Sequence, residues 1–224
     1  MRMGHQGIFI GPIGGVRELM KRLDTLRQDC HFTGDIAADA RHFLEQHGFP
    51  KTAAHVEDVA EEAGRLAALF GADVQSAQVA GWLHDISVVI PNSERISAAE
   101  EWGVEVLPEE AIFPMIIHQK LSVVIAQALF GIQDADILSA IGCHTTLKAG
   151  ASRLDKIVFV ADKIAWDQPG KPPYYDAIVA ALDISIDQAA FVYADYLWQI
   201  RDQLKVLHPW AREAYWELSQ FLEQ

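Results

Sequence analysis

Ala80-Gly81-Trp82-Leu83-His84-Asp85-Ile86 is the stretch from which the rest of the chain is read. It closes an apolar helical run that begins after Asp73, a residue suited to capping it, with Val74, Ala77, Val79, Ala80, Trp82 and Leu83 expected to supply its contacts. The helix delivers His84 and Asp85 near its C-terminal end. Consecutive helical side chains point about 100° apart, so two neighbours serve one cation only near a helix end, or serve two sites at once. A carboxylate has two oxygens and bridges ions about 3.5–4 Å apart, which makes Asp85 a natural bridge.

Outward from this stretch the pattern stays helical. Thr52 is the expected cap of a long helix through His55, Val56, Val59, Ala60, Ala63, Leu66, Ala67 and Phe70, stopped by Gly71. His55 borders its buried stripe. Before it, amphipathic helices are expected over about 16–28 and about 35–46, the second ended by Gly48 and Pro50. His31, His42 and His47 fall in loop or boundary positions. Downstream, a polar helix is expected over 93–102, then one from Pro108 that is interrupted at Pro114. Ile116, Ile117 and His118 lead into Leu121, Val124, Ile125, Ala128 and Leu129, with Gly131 closing that helix. Asp134 caps a helix over 135–143, and His144 terminates it.

The apolar helix expected over 153–166 is interrupted by Asp162 and Lys163. An isolated charge in a buried helix costs several kcal/mol, so Asp162 needs a partner. Lys163 or Arg153 is the structural choice and a metal ion the functional one. A Pro-rich loop over 167–173 precedes helices starting at Tyr174-Tyr175, over about 185–207 and over 209–222. Phe191, Tyr196, Leu197, Trp198, Trp210, Tyr215, Trp216 and Phe221 form an aromatic stripe on the last two, suited to core or to a homodimer interface that it permits without requiring.

Composition sets the bounds. The chain has 224 residues, 50% of them hydrophobic and 22% charged, with almost no alternation of β type, so an all-α fold is expected. One domain over 31–224 is expected, preceded by a leader and amphipathic helix over 1–30, of which residues 1–15 read as flexible. A net charge of −13 argues against nucleic acid and anionic membrane as partners. If the substrate carries phosphate, its attraction must come from metal or a few placed cations. Two scattered cysteines, Cys30 and Cys143, form no disulfide scaffold and point to a reducing, cytoplasmic setting. No apolar run approaches the roughly 18–20 residues that span a bilayer.

The ordered set is therefore His55, His84, Asp85, His118, His144 and Asp162. Four imidazoles and two carboxylates suit iron, manganese, zinc or another borderline transition ion, and disfavour calcium or magnesium. Six side chains exceed one four-coordinate site and match two ions sharing Asp85.

These residues, in Thr52-Ala53-Ala54-His55, Gly81 to Ile86, Ile117-His118, Ala140 to Thr146 and Leu154 to Lys163, resemble the HD-domain metal-dependent phosphohydrolases. Within them the chain is most similar to the bacterial YqeK-type branch, symmetrical bis(5'-nucleosyl)-tetraphosphatases that split diadenosine tetraphosphate into two ADP. The resemblance spans about 35–207 and implies a helical bundle with a di-metal site between helices. It implies one ion on His55, His84, Asp85 and Asp162 and another on His118, His144 and Asp85. The two are divalent transition-metal ions, commonly iron, with manganese, cobalt, nickel or zinc as alternatives. A water activated by metal would attack phosphorus, with His84, Asp85 and Lys163 as the catalytic candidates. Lys120, Lys148, Arg153 and Lys163 are candidates for holding outlying phosphates, or are plain solvated or salt-bridging cations. Trp166 and Tyr174 are candidates for stacking on a base. Thr145 and Thr146 either support the ligands by hydrogen bonds or are simple helix-end polar groups. The segment Ala165 to Tyr174 departs from the Glu-Pro-x-Arg-like segment often found at this point in that branch. Two other readings remain, a di-iron oxygenase and a nucleotide-sensing module.

Overall fold

Periodic apolar positions become helices wherever a capping residue stands before them. In the computed structural model, which describes residues 14–222, α1 is Gly14–Arg27, α2 Ile36–Gln46, α3 Pro50–Phe70, α4 Val74–Leu83, α5 Arg95–Glu101 and α6 Pro108–Ile112. The second half contains α7 His118–Ala128, α8 Ala135–Cys143, α9 Arg153–Ile164, α10 Tyr175–Leu182, α11 Ile186–Gln199 and α12 Pro209–Leu222. Short 3-10 turns cover Ile86–Val89, Asn92–Glu94 and Arg201–Gln203, and no strand occurs among the described residues. The leader expected over 1–15 lies outside the described residues except for its last two positions.

The side chains of Asp35, Asp73, Asp134, Ser152 and Ser185 each accept a backbone N–H in the first turn of their helix, satisfying donors that helix starts leave open. Thr52 is not a cap. α3 starts at Pro50 with Phe49 before it, because a proline in the first turn loses no hydrogen bond and brings a preset φ. Pro50 therefore opens α3, and Gly48, at φ +86°, marks the end of α2. The expected helix over 93–102 is a 3-10 turn followed by α5. The one expected over 185–207 ends at Gln199, and the one over 153–166 ends at Ile164. Val74, expected to face inward, is 39% exposed.

α3, α4, α8 and α9 pack around one core that includes Val56, Val59, Leu66, Leu83, Ile141, Ile157 and Phe159. α2 lies on α3, α7 on α8, and α10, α11 and α12 add a second layer built outward from α9. α1 joins through buried Leu23 and through Arg22, which binds Glu94 at 2.8 Å and Glu101 at 2.9 Å. The crossing of α3 and α4 is unusually close. A Cβ on Gly81 would lie 2.6 Å from the Ala60 Cα, so the glycine in the opening stretch lets α4 settle against the backbone of α3.

Candidate metal centre

Three of the four histidines are set by one local device. His84 and His144 occupy the C-cap positions of α4 and α8, and His118 opens α7. The Nδ1 of each lies against the carbonyl three residues back: Gly81 O at 2.7 Å, Met115 O at 2.5 Å and Ile141 O at 2.8 Å. A carbonyl only accepts, so Nδ1 carries a hydrogen and Nε2 is the nitrogen left to face the site. For α4 and α8 the same bond satisfies a last-turn carbonyl. Both helices also end at the site, where their dipoles favour a positive charge.

These nitrogens meet carboxylates. His118 Nε2 lies 2.9 Å from Asp85 Oδ1 and 2.9 Å from His144 Nε2, while His144 Nε2 is 3.4 Å from Asp85 Oδ1. On the other side, Asp162 Oδ1 is 3.2 Å from His55 Nε2 and 3.5 Å from His84 Nε2, and His84 Nε2 is 3.7 Å from Asp85 Oδ2. Ligand atoms of His55, His84 and Asp85 lie within 4.8 Å of one another, and so do those of Asp85, His118 and His144. Asp85 belongs to both groups. Asp162 completes the first through its Oδ1, its Oδ2 being ion-paired with Lys163.

Nitrogens and carboxylate oxygens this close need protons or cations among them. The buried His84 Nε2 and Asp85 Oδ1 make no hydrogen bond. Thr145 is the hydroxyl within reach, 3.0 Å from His144 Nε2 and 3.3 Å from His118 Nε2, and a single hydrogen cannot satisfy both imidazoles and Asp85. The residues present therefore fit divalent transition-metal ions, by donor type and by the orphaned acceptor atoms. Burial opposes the charge on Asp85 and Asp162, yet neighbouring His84 and His118 in the first case, and Lys163 and His55 in the second, hold both carboxyls well below the usual range. Burial pushes His144 down to about 4, keeping it neutral and ready to ligate. Burial works against a charge on His55 too, but Asp162 outweighs it and raises the group to about 9, so cation binding there must displace a proton.

The centre lies at a cavity of about 470 Å³, lined by His55, Asp85, His118, His144 and Asp162 and by Arg95, Lys163, Trp166, Tyr174 and Tyr193 among others. His84 is fully buried beside it. Trp166 is 42% exposed at the wall, whereas Tyr174 is buried with its ring against Tyr193 at 4.7 Å and Tyr196 at 5.1 Å. Lys163 is buried against Asp162, and its ammonium also donates to His144 O at 3.4 Å.

Of the four expected phosphate contacts Lys163 lines this cavity, and the other three do not. Lys120 is spent on Glu110 at 2.9 Å and Glu105 O at 3.0 Å. Lys148 donates to Ser139 Oγ at 2.6 Å, 3.7 Å from Asp155. Arg153 binds the end of α3 at Phe70 O, 3.0 Å away. Lys120 and Lys148 have carboxylate partners, whereas Arg153 binds backbone carbonyls and forms no ion pair.

Two residues escaped the sequence reading. Gln119 is fully buried, and its Oε1 accepts from Thr145 N at 3.2 Å and Thr146 N at 3.3 Å, tying the loop after His144 to α7. Its place directly after His118 was the available signal. Arg95 stood in a stretch read only as a polar helix, with no pattern to mark it.

A family model described as HD domain matches residues 52–167. A Lactococcus lactis subsp. cremoris protein, described as an uncharacterized protein in pepC 5'region, is 50% identical over 143 residues, covering 64% of this chain and 72% of that one. The symmetrical bis(5'-nucleosyl)-tetraphosphatase of Bacillus subtilis (strain 168) is 32% identical over 138 residues, or 60% of this chain and 71% of the other. Among solved structures, a Clostridium acetobutylicum protein described as a predicted HD superfamily hydrolase involved in NAD metabolism aligns with a TM-score of 0.75 and 26% identity. That alignment covers 82% of this chain and 97% of the other.

Proposed function

Because the chain belongs to the HD domain family, we propose that it is a metal-dependent phosphohydrolase of nucleotides that splits diadenosine tetraphosphate symmetrically into two ADP. The observation that carries this reading is the pair of ligand groups sharing Asp85 at the wall of a cavity of about 470 Å³, a size that suits a nucleotide. The relative from Bacillus subtilis named for this reaction supports the choice of substrate. We assign iron to the site, with manganese, cobalt, nickel and zinc as alternatives that the same donor set accepts.

When bound, divalent ions lower the pKa of water to supply a nucleophile at neutral pH, and they neutralise charge developing on a phosphate. The chain's own groups do the rest. The rings of His84, His118 and His144 are oriented by their Nδ1 contacts to carbonyls, with Nε2 turned to the carboxylates. Asp85 offers one oxygen to each group. Lys163, bound to Asp162 Oδ2, holds that carboxylate with Oδ1 turned toward His55 and His84. Trp166 presents an exposed ring for the base, while Tyr174 serves as a packed wall. No helix among the described residues is long and apolar enough to cross a membrane, and we place the activity in the cytoplasm.

The test is to purify the protein without oxygen, measure its metal, and incubate it with diadenosine tetraphosphate. ADP as the sole product is expected. ATP plus AMP, or no turnover of any nucleotide, overturns the reading, whereas anaerobic turnover removes the oxygenase alternative.

A further inference from the structure

The cavity holds a buried cation that the metal centre does not use. Arg95 is the first residue of α5, is 8% exposed, and lines the same cavity as the ligands. Its Nε donates to Ile90 O at 3.3 Å and its Nη1 to Met115 O at 3.2 Å. Among the described residues no carboxylate lies within ion-pair distance of it. The other cations drawn into the fold each have one: Arg22 has Glu94 and Glu101, Lys120 has Glu110, Lys156 has Asp187 and Lys163 has Asp162.

A chain with 31 acidic and 18 basic residues does not lack carboxylates to pair with a guanidinium. Leaving one buried without an anion is unfavourable. Burial works against the charge of Arg95, and the nearby charge of Asp85 offsets only part of this. Once Asp85 is committed to cations, that compensation is gone. A guanidinium has five N–H groups, and two carbonyl contacts leave donors over in the planar fork that matches phosphate oxygens.

We propose that Arg95 is the anion anchor of the cavity, holding a substrate phosphate against the metal centre. The inference rests on the phosphohydrolase reading for its substrate, but its binding step can be tested apart from turnover. Arg95→Gln and Arg95→Lys are compared with the parental protein for metal content and denaturation midpoint. Calorimetry then gives the affinity of the metal-loaded proteins for ADP and for inorganic phosphate, and steady-state assays give KM and kcat for diadenosine tetraphosphate.

With metal content unchanged, Arg95→Gln should bind ADP and phosphate at least about tenfold more weakly and raise KM more than it lowers kcat. Arg95→Lys should recover part of the affinity. Parental affinity in Arg95→Gln overturns the proposal. So does loss of metal together with affinity in both variants, since Met115 O is shared with His118 and Arg95 would then merely support that turn. If the parental protein leaves diadenosine tetraphosphate intact while anion affinity still depends on Arg95, the substrate assignment fails and the anchor stands.

Discussion

A histidine whose Nδ1 is held by a carbonyl has one nitrogen left for chemistry, and three such nitrogens converge on Asp85 and Asp162 here. The two groups differ in membership but share Asp85, so single substitutions should separate them. Asp85→Ala should lose both ions, whereas His118→Ala should lose the ion of its own group and keep the one beside His55, His84 and Asp162. Elemental analysis after gel filtration measures this, and two ions retained by Asp85→Ala would show that the bridge is misassigned. The six candidate ligands that the structure gathers were legible because five stand where a helix begins, ends or carries a charge into an apolar run, and His55 borders the buried stripe of α3. The places of Lys120, Lys148 and Arg153 were not legible, because a cation's partner depends on what the fold brings near it, Glu110, Asp155 and the Phe70 carbonyl here. Arg95 was missed for the converse reason. Its hydrogen bonds go to the carbonyls of Ile90 and Met115, which spacing along α5 does not reveal.

At the scale of elements, the close crossing of α3 and α4 holds His55 and His84 together. Gly81→Ala places a methyl 2.6 Å from the Ala60 Cα, and backbone cannot yield as a flexible side chain does. Overpacking of this kind costs about 1–3 kcal/mol. The variant should therefore show a lower denaturation midpoint in urea together with reduced metal content, because α4 must shift and carry His84 with it. A second junction joins α6 to the C-terminal helix. Glu110 is fully buried, 2.9 Å from Lys120 and 3.3 Å from His208 Nε2. His208 Nδ1 accepts from Trp210 N at 3.2 Å, so Nε2 bears the hydrogen and donates to the carboxylate. Burial opposes ionisation of Glu110, but the contacts from His208, Leu107 N and Lys120 outweigh it and lower its pKa. A depressed folded-state pKa means that its ionised form adds stability above the usual Glu value of about 4.3, and that this contribution disappears as pH falls through the folded value. Thermal melts between neutral and acidic pH should thus be less pH-dependent for Glu110→Gln than for the parental chain. An equal slope in both would remove Glu110 from the acid response. Helix starts were legible where Asp or Ser caps them. Pro50 was read as a stop because its ring forbids helix interiors, although the same ring suits a first turn.

For the molecule as a whole, the aromatic stripe closes the C-terminal layer on itself. Trp198 stacks on Tyr215 at 4.7 Å and Phe191 on Tyr215 at 5.9 Å, while Trp216 and Phe221 remain exposed. The second layer packs on α9 and shares one core with the first, and the candidate metal centre draws its side chains from α3, the end of α4, α7, the end of α8 and α9. Ions held there would tie five segments together and would give partners to His84 Nε2 and Asp85 Oδ1, which make no hydrogen bond. Unfolding separates these ligands, so metal should bind the native chain far more tightly than the unfolded one. At a free metal concentration 100 times the dissociation constant, that linkage adds about 2.7 kcal/mol. For a chain of this length each kcal/mol moves the melting midpoint by about 2–4 °C, so chelation should lower it by about 5–10 °C and restored metal should recover it. Asp85→Ala supplies the control: with the shared ligand gone, its midpoint should scarcely respond to chelator. A parental midpoint equally indifferent to chelator would mean that the six side chains do not act together as a metal centre.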